Sequence, residues 1–95
     1  MKTEYYSPKL WELVEQGEIP KKSALYRWLN KDAGQIIVDG PVFWIEYWSD
    51  YPTDKAFKEI KEAMKKYFDK EYYIDRIERG RKWKTEDAKT EPAKN

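Results

Sequence analysis

Apolar positions along this 95-residue chain recur first at helical and then at strand spacing. Leu10, Leu13 and Val14 stand at i, i+3 and i+4 with Trp11 beside them, which predicts a short helix over about residues 8–16. Ser7-Pro8 is expected to open it, with Ser as N-cap and Pro at the first helical position, where its missing N–H costs nothing. Gly17 is expected to end it. Glu18-Ile19-Pro20 then leads to a second helix, from Lys21 or Lys22 to about Asn30, with Ala24, Leu25, Trp28 and Leu29 on one side. Two short helices joined by a tight Gly-containing turn make a helix-turn-helix pattern.

Beyond a loop at Lys31–Gly34 the period changes. Gln35–Val38 and Val42–Trp48 are dominated by β-branched and aromatic residues and read as strands. Asp39-Gly40 between them signals a hairpin turn, and Pro41 just after it shortens the ladder but is tolerable at an edge. Phe43, Ile45 and Tyr47 share one face of the second strand, and Val42, Trp44, Glu46 and Trp48 share the other. Neither face is plainly polar, so either both are covered or one awaits a partner. Ser49–Pro52 breaks the strand, and Thr53 is expected to cap a third helix. Ala56, Phe57, Ile60, Ala63, Met64, Tyr67 and Phe68 form a helical stripe, with Lys58–Glu62 and Glu62–Lys66 as i,i+4 pairs on its outer side. That helix completes the core beneath the strands or else presents an oligomer face. The run is expected to continue, or to restart near Asp69, through Tyr73, Ile74 and Ile77 until Gly80.

Composition narrows the chemistry. The chain has no Cys and no His, so a thiol nucleophile, a disulfide framework, a His-based triad and the usual zinc ligands are all missing. Glu12/Glu15 or Glu59/Glu62 could face one another at helical spacing, but such pairs on a charged surface helix are ordinarily solvated. The four glycines are scattered and form no phosphate-binding loop. The expectation is a binding protein, not an enzyme, with no cofactor and no metal. Mean hydropathy of −1.06 and 39% charged residues lean toward disorder, whereas 17% aromatics, including five Trp, oppose it. A small domain gains much of its burial from a few large rings, so an aromatic core in a charged shell is expected. Trp11, Trp28 and Phe57 sit on apolar stripes and are assigned to it. No apolar run approaches the roughly 18 residues of a membrane span. The start lacks the apolar centre of a secretory signal, so a cytoplasmic location and no membrane partner are expected.

Charge is polarised along the chain. Residues 36–53 carry three acids (Asp39, Glu46, Asp50) and no base, whereas Arg76, Arg79, Arg81, Lys82 and Lys84 crowd one short stretch near the end. The net charge of +1 is therefore an average over an acidic middle and a basic end. On the second helix the outward residues Lys22, Ser23, Tyr26, Arg27 and Asn30, with Lys21 before them, are basic or able to hydrogen-bond. In helix-turn-helix DNA readers the second helix enters the major groove while basic groups around it hold phosphates. Arg suits a guanine edge and Asn an adenine edge, because each makes paired hydrogen bonds there. The plainer alternative is a two-helix corner whose outer face is merely soluble.

The segment Ile19-Pro20-Lys21-Lys22-Ser23-Ala24-Leu25-Tyr26-Arg27-Trp28-Leu29, followed by a hairpin at Val38-Asp39-Gly40, resembles the small winged-helix DNA-binding proteins of the phage excisionase type, in the wider MerR-like group. The resemblance covers about residues 5–48. It implies an α+β fold with a winged helix-turn-helix and a short β-hairpin, to which the stripe at 53–68 adds a C-terminal amphipathic helix larger than the minimal excisionase needs. From the residues themselves, 1–80 are read as the domain and 81–95 as a basic, polar and disordered tail, since 85–95 is polar, Pro-containing and aperiodic. The resemblance further implies an accessory factor of a phage or mobile element that binds double-stranded DNA, self-associates on it, bends the attachment region and turns an integrase toward excision. Lys21, Lys22, Ser23, Tyr26, Arg27 and Asn30 would then contact DNA. Asp39 and Gly40 would form the wing tip, and Arg79, Arg81 and Lys82 would contact DNA or the integrase. An acidic wing is a departure, since Asp39 at the tip would meet phosphate repulsion. The rival class is a small protein-binding module, such as an inhibitor of a host protein, acting through Trp44, Trp48 and Trp83 and the acidic hairpin. Trp83 stands among Arg81, Lys82 and Lys84, where it could stack on a base, dock on a partner or pack back on the third helix. A repressor on the same fold is a third reading.

Overall fold

The computed structural model describes residues 3–74 and the backbone of residues 81 and 82. It is an α+β arrangement in the order β1 (Thr3–Tyr5), α1 (Ser7–Glu15), α2 (Ala24–Lys31), β2 (Gly34–Asp39), β3 (Val42–Tyr47), α3 (Asp54–Phe68), β4 (Glu71–Tyr72) and β5 (Arg81–Lys82). β2 lies between β1 and β3, antiparallel to both, and β4 and β5 run parallel to β3 along its other edge.

Strand alternation sorts the sheet into two faces. Ile36 pairs with Ile45 and Val38 with Phe43, and these four residues join Leu10, Leu25, Trp28, Ile60, Met64 and others of the three helices in one core. The opposite face carries the Ile37–Trp44 and Gln35–Glu46 pairs. Ile37, Trp44 and Glu46 are nevertheless buried, so both faces of the hairpin are covered. Tyr73 contributes there: its N–H donates to the Phe43 carbonyl, and its ring lies 6.2 Å from that of Trp44. The Trp44 indole N–H is satisfied at 2.8 Å by the buried Glu46 carboxylate two residues on.

Several local expectations are corrected. Ser7 is not the N-cap of α1. The cap position is Tyr6, without a side-chain bond, and the Ser7 N–H donates instead to the Gln35 side chain on β2. Gly17 does end the helix, at φ +86°, with its N–H returning to Val14 and that of Glu18 to Leu13. The turn between the helices is not tight, since it runs from residue 16 to residue 23. α2 begins at Ala24 rather than at the lysines, because Ser23 is its N-cap. Pro41 sits in the hairpin loop with Gly40 (φ +63°), and Asp39 belongs to β2. The helix does not continue past Phe68: Asp69 turns left-handed at φ +57°, and the Glu71 N–H pairs with the Pro41 carbonyl, which starts a strand. Arg81–Lys82 is likewise a strand and not disordered tail. The expected stop at Gly80 and the rest of the tail lie outside the described residues.

α3 completes the core, burying Ala56, Ile60, Ala63 and Met64. Trp28 is buried as expected, whereas Trp11 and Phe57 are half-buried at its margin. Trp28 of α2 packs closely on the sheet at Gly34. A Cβ placed there would lie 2.6 Å from the Glu46 carbonyl oxygen and 2.9 Å from Trp28 Cζ2. Backbone on one side and a buried ring on the other leave no room to yield. Gly34→Ala is therefore expected to destabilise the fold by about 1–3 kcal/mol, the usual cost of overpacking. Urea denaturation measures this, and an unchanged midpoint would show that the contact is slack.

Candidate nucleic-acid interface

α2 is amphipathic because Ala24, Leu25, Trp28 and Leu29 fall on its inner side and all four are buried. Its outer side carries Arg27, Asn30 and Lys31, all exposed, while Lys21 and Lys22 stand exposed in the turn that precedes it. The structure thus brings five of the chain's exposed polar and basic groups to one helix and its entry. Lys31, which sequence reasoning assigned to a loop, is the last residue of the helix. Its place four residues after Arg27 was the available signal. It pairs with Asp50 at 3.4 Å, both side chains being more than half exposed.

Two of the three neutral hydrogen-bonding residues assigned to DNA, Ser23 and Tyr26, are turned toward the protein. The Ser23 Oγ accepts from the Tyr26 N–H at 3.0 Å and donates to the Pro20 carbonyl at 2.7 Å. Tyr26 is half-buried, with its ring packed edge-on to Trp11 at 5.6 Å. Arg27 Nη1 donates to the Lys22 carbonyl at 3.0 Å, which ties the turn to the helix.

The N-terminus of α2 also carries a carboxylate. Glu59 of α3 accepts from the Leu25 N–H at 2.8 Å. Negative charge at this end complements the helix dipole, and the bond is charge-assisted. Beside it a groove of about 280 Å³ runs between the α1–α2 turn and α3, lined by Glu18, Ile19, Glu59, Glu62 and Tyr67 among others. The Tyr67 hydroxyl donates to Glu18 at 3.0 Å across it. Among the described residues no group of three or more acidic side chains is placed to hold a metal ion. No described helix is long and apolar enough to cross a membrane.

The hairpin turn lies flush with the sheet. Thr3 pairs with Asp39 on one side and Glu71 with Val42 on the other, so neighbouring strands reach as far as the turn does. Asp39 is half-buried, with Oδ1 enclosed and without a hydrogen-bond partner. The basic group at the turn comes from elsewhere: Lys70 Nζ donates to the Gly40 carbonyl at 2.7 Å. Thirty residues separate the two, and no local pattern announces the contact. Trp44 is buried and so is not an exposed anchor; Trp48 is half-buried, and its indole N–H donates to the Asp32 carbonyl at 2.9 Å. Arg81 and Lys82 are placed by backbone only, in β5, and Arg79 and Trp83 lie outside the described residues.

Comparison of the chain with known protein families, curated proteins and solved structures gives no match. The internal role of Ser23 carries a direct expectation. Ser23→Ala should lower the stability of the free protein by about 1 kcal/mol, as loss of an N-cap does. Thermal unfolding reads this without any nucleic acid present, and an unchanged transition would return the hydroxyl to the candidate contact set.

Proposed function

We propose that the chain is a double-stranded-DNA-binding protein with no catalytic role of its own, and that α2 and its entry turn form the contact surface. The observation that carries this reading is the outward side of α2, where Arg27, Asn30 and Lys31 are exposed together, with Lys21 and Lys22 at its start. Because Ser23 and Glu59 take the Tyr26 and Leu25 N–H groups at the helix N-terminus and add a carboxylate there, phosphate is disfavoured at that end. Contact falls instead to side chains: the lysines and Lys31 for phosphates, Arg27 and Asn30 for base edges. Tyr26 and Ser23 act in this reading by holding the helix, not by touching DNA.

The order helix, connection, helix, hairpin supports the winged-helix form of the proposal. The flush turn speaks for a wing that meets the backbone and does not enter a groove, with Lys70 in place of the half-buried Asp39 as its basic group. The narrower role, an accessory factor of the excisionase type that bends attachment-region DNA, associates on it and engages an integrase, rests on the resemblance of Ile19–Leu29 and Asp39-Gly40. A protein-binding module is the weaker reading, because Trp44 is buried.

A gel-shift titration with duplexes selected from a random pool, and with attachment-region DNA, tests the proposal. The Lys22→Ala/Arg27→Ala double variant is expected to bind roughly ten- to several-hundredfold more weakly, since a lost base-edge pair alone is worth about 1–3 kcal/mol. Equal affinity of the variant and the parent for the selected site would remove α2 as the reading element.

A further inference from the structure

α3 devotes five of its fifteen residues to lysine. Lys58, Lys61 and Lys65 recur at i, i+3 and i+7 and so share one stripe, with Lys55 and Lys66 on its flank, and all five are exposed. The helix's three acids do not balance them. Asp54 lies in the first turn, where it complements the helix dipole, and Glu59 is turned to the Leu25 N–H. Glu62 beside the stripe and Asp54, four residues before Lys58 at its start, are the helix's own carboxylates near it, against five lysines. Lys58, Lys61, Lys65, Lys66 and Glu62 lie together on one open, shallow patch of the helix surface. Two of the ammonium groups are positioned over aromatic rings, Lys61 at 4.9 Å from Phe57 and Lys66 at 5.1 Å from Tyr67. Lys65 is bound to Glu71 and Asp69, and these carboxylates, Glu71 first, hold its ammonium above the usual lysine range. Among the described residues no ion pair engages Lys55, Lys58, Lys61 or Lys66, so the Lys58–Glu62 and Glu62–Lys66 pairs expected from i,i+4 spacing are not formed.

The opposite side of α3 packs into the same core as the buried side of α2, over the same face of the sheet. The outward sides of both helices therefore look away from that sheet face, on one side of the molecule. We propose that the lysine face of α3 is a second phosphate-contacting surface, which extends the duplex footprint beyond α2 by gripping the sugar-phosphate backbone without reading bases. This rests on the DNA-binding reading of α2. A second copy of the chain in a symmetric contact is a poor occupant, because the same lysines would meet across it. A polyanion with one charge per ~1.7 Å of duplex suits a stripe that repeats about once per helical turn.

The test compares the full chain with its Lys58→Gln/Lys61→Gln/Lys66→Gln variant, which removes charge while keeping good helix formers. Affinity for a short random-sequence duplex is measured by fluorescence anisotropy across a salt series, with circular dichroism as the check on folding. For the variant, the slope of log affinity against log salt should become shallower by about 2–3, near 0.9 for each phosphate that is no longer neutralised. Affinity in low salt should fall at least about tenfold on any sequence, with the melting curve unchanged. A variant that matches the parent in slope and affinity overturns the inference and leaves the α2 reading standing, since Lys22 and Arg27 are untouched. A parent chain that binds no duplex in low salt overturns both. Loss of binding to phosphatidylserine vesicles without loss of binding to duplex would overturn it in favour of a membrane surface.

Discussion

Trp28 lies against Gly34 with no space for a methyl group between the ring and the strand. That contact sets the seat of α2 on the sheet, and much else in the structure depends on it. The Trp28 indole N–H donates to the Asp50 carbonyl at 2.9 Å, so the same side chain also holds the segment between β3 and α3. One buried ring thereby connects the helix that bears the candidate contacts, the strand that begins the hairpin, and the entry to the helix that closes the core. With Trp28 and its neighbours Leu25 and Leu29 turned inward, the 3.6-residue period leaves Arg27, Asn30 and Lys31 no inward option.

The packing that seats α2 also alters its chemistry. A helix N-terminus with free N–H groups is a ready anion site, but here a serine hydroxyl and a glutamate from α3 already occupy it. The energetic gain goes to the fold, as a cap and as charge-assisted bonding between two helices. The electrostatic consequence is a local acidic margin, formed by Glu18, Glu59 and Glu62, between the lysines at the entry to α2 and those of α3. A polyanion approaching these helices meets lysines on either side of that margin, which favours a particular path across the surface over uniform attraction.

Where residues interact with near neighbours in sequence, the chain was legible. The α3 stripe, the Thr53 cap, the inner side of α2 and the Gly17 stop all arise from local spacing and backbone preference. The hairpin did too, with its turn shifted by one residue, since a Gly at positive φ and a following Pro suit adjacent loop positions. The features that escaped depend on distant partners. β1 is three exposed residues with no alternation, and only its register against Ile37–Asp39 makes it a strand. Ser7 looked like a cap because nothing local reveals that Gln35 takes its backbone N–H. Residues after Phe68 kept apolar character at helical spacing, yet the left-handed Asp69 and the free edge of β3 outweighed that pattern. The candidate site divides in the same way: its basic residues were visible as types, while the inward engagement of Ser23 and Tyr26 and the arrival of Lys70 at the turn were not.

The parallel pairing of β4 with β3 bears on how the chain reaches this state. An antiparallel neighbour can zip up from a two-residue turn, as β3 does against β2. β4 has no such local route, because the whole of α3 must first fold back across the sheet before Glu71 can meet Val42. β1 is similarly remote, over thirty residues from the strand it borders. Assembly is therefore expected to proceed outward from the central hairpin, with both borders of the sheet added only after the helices have found their places.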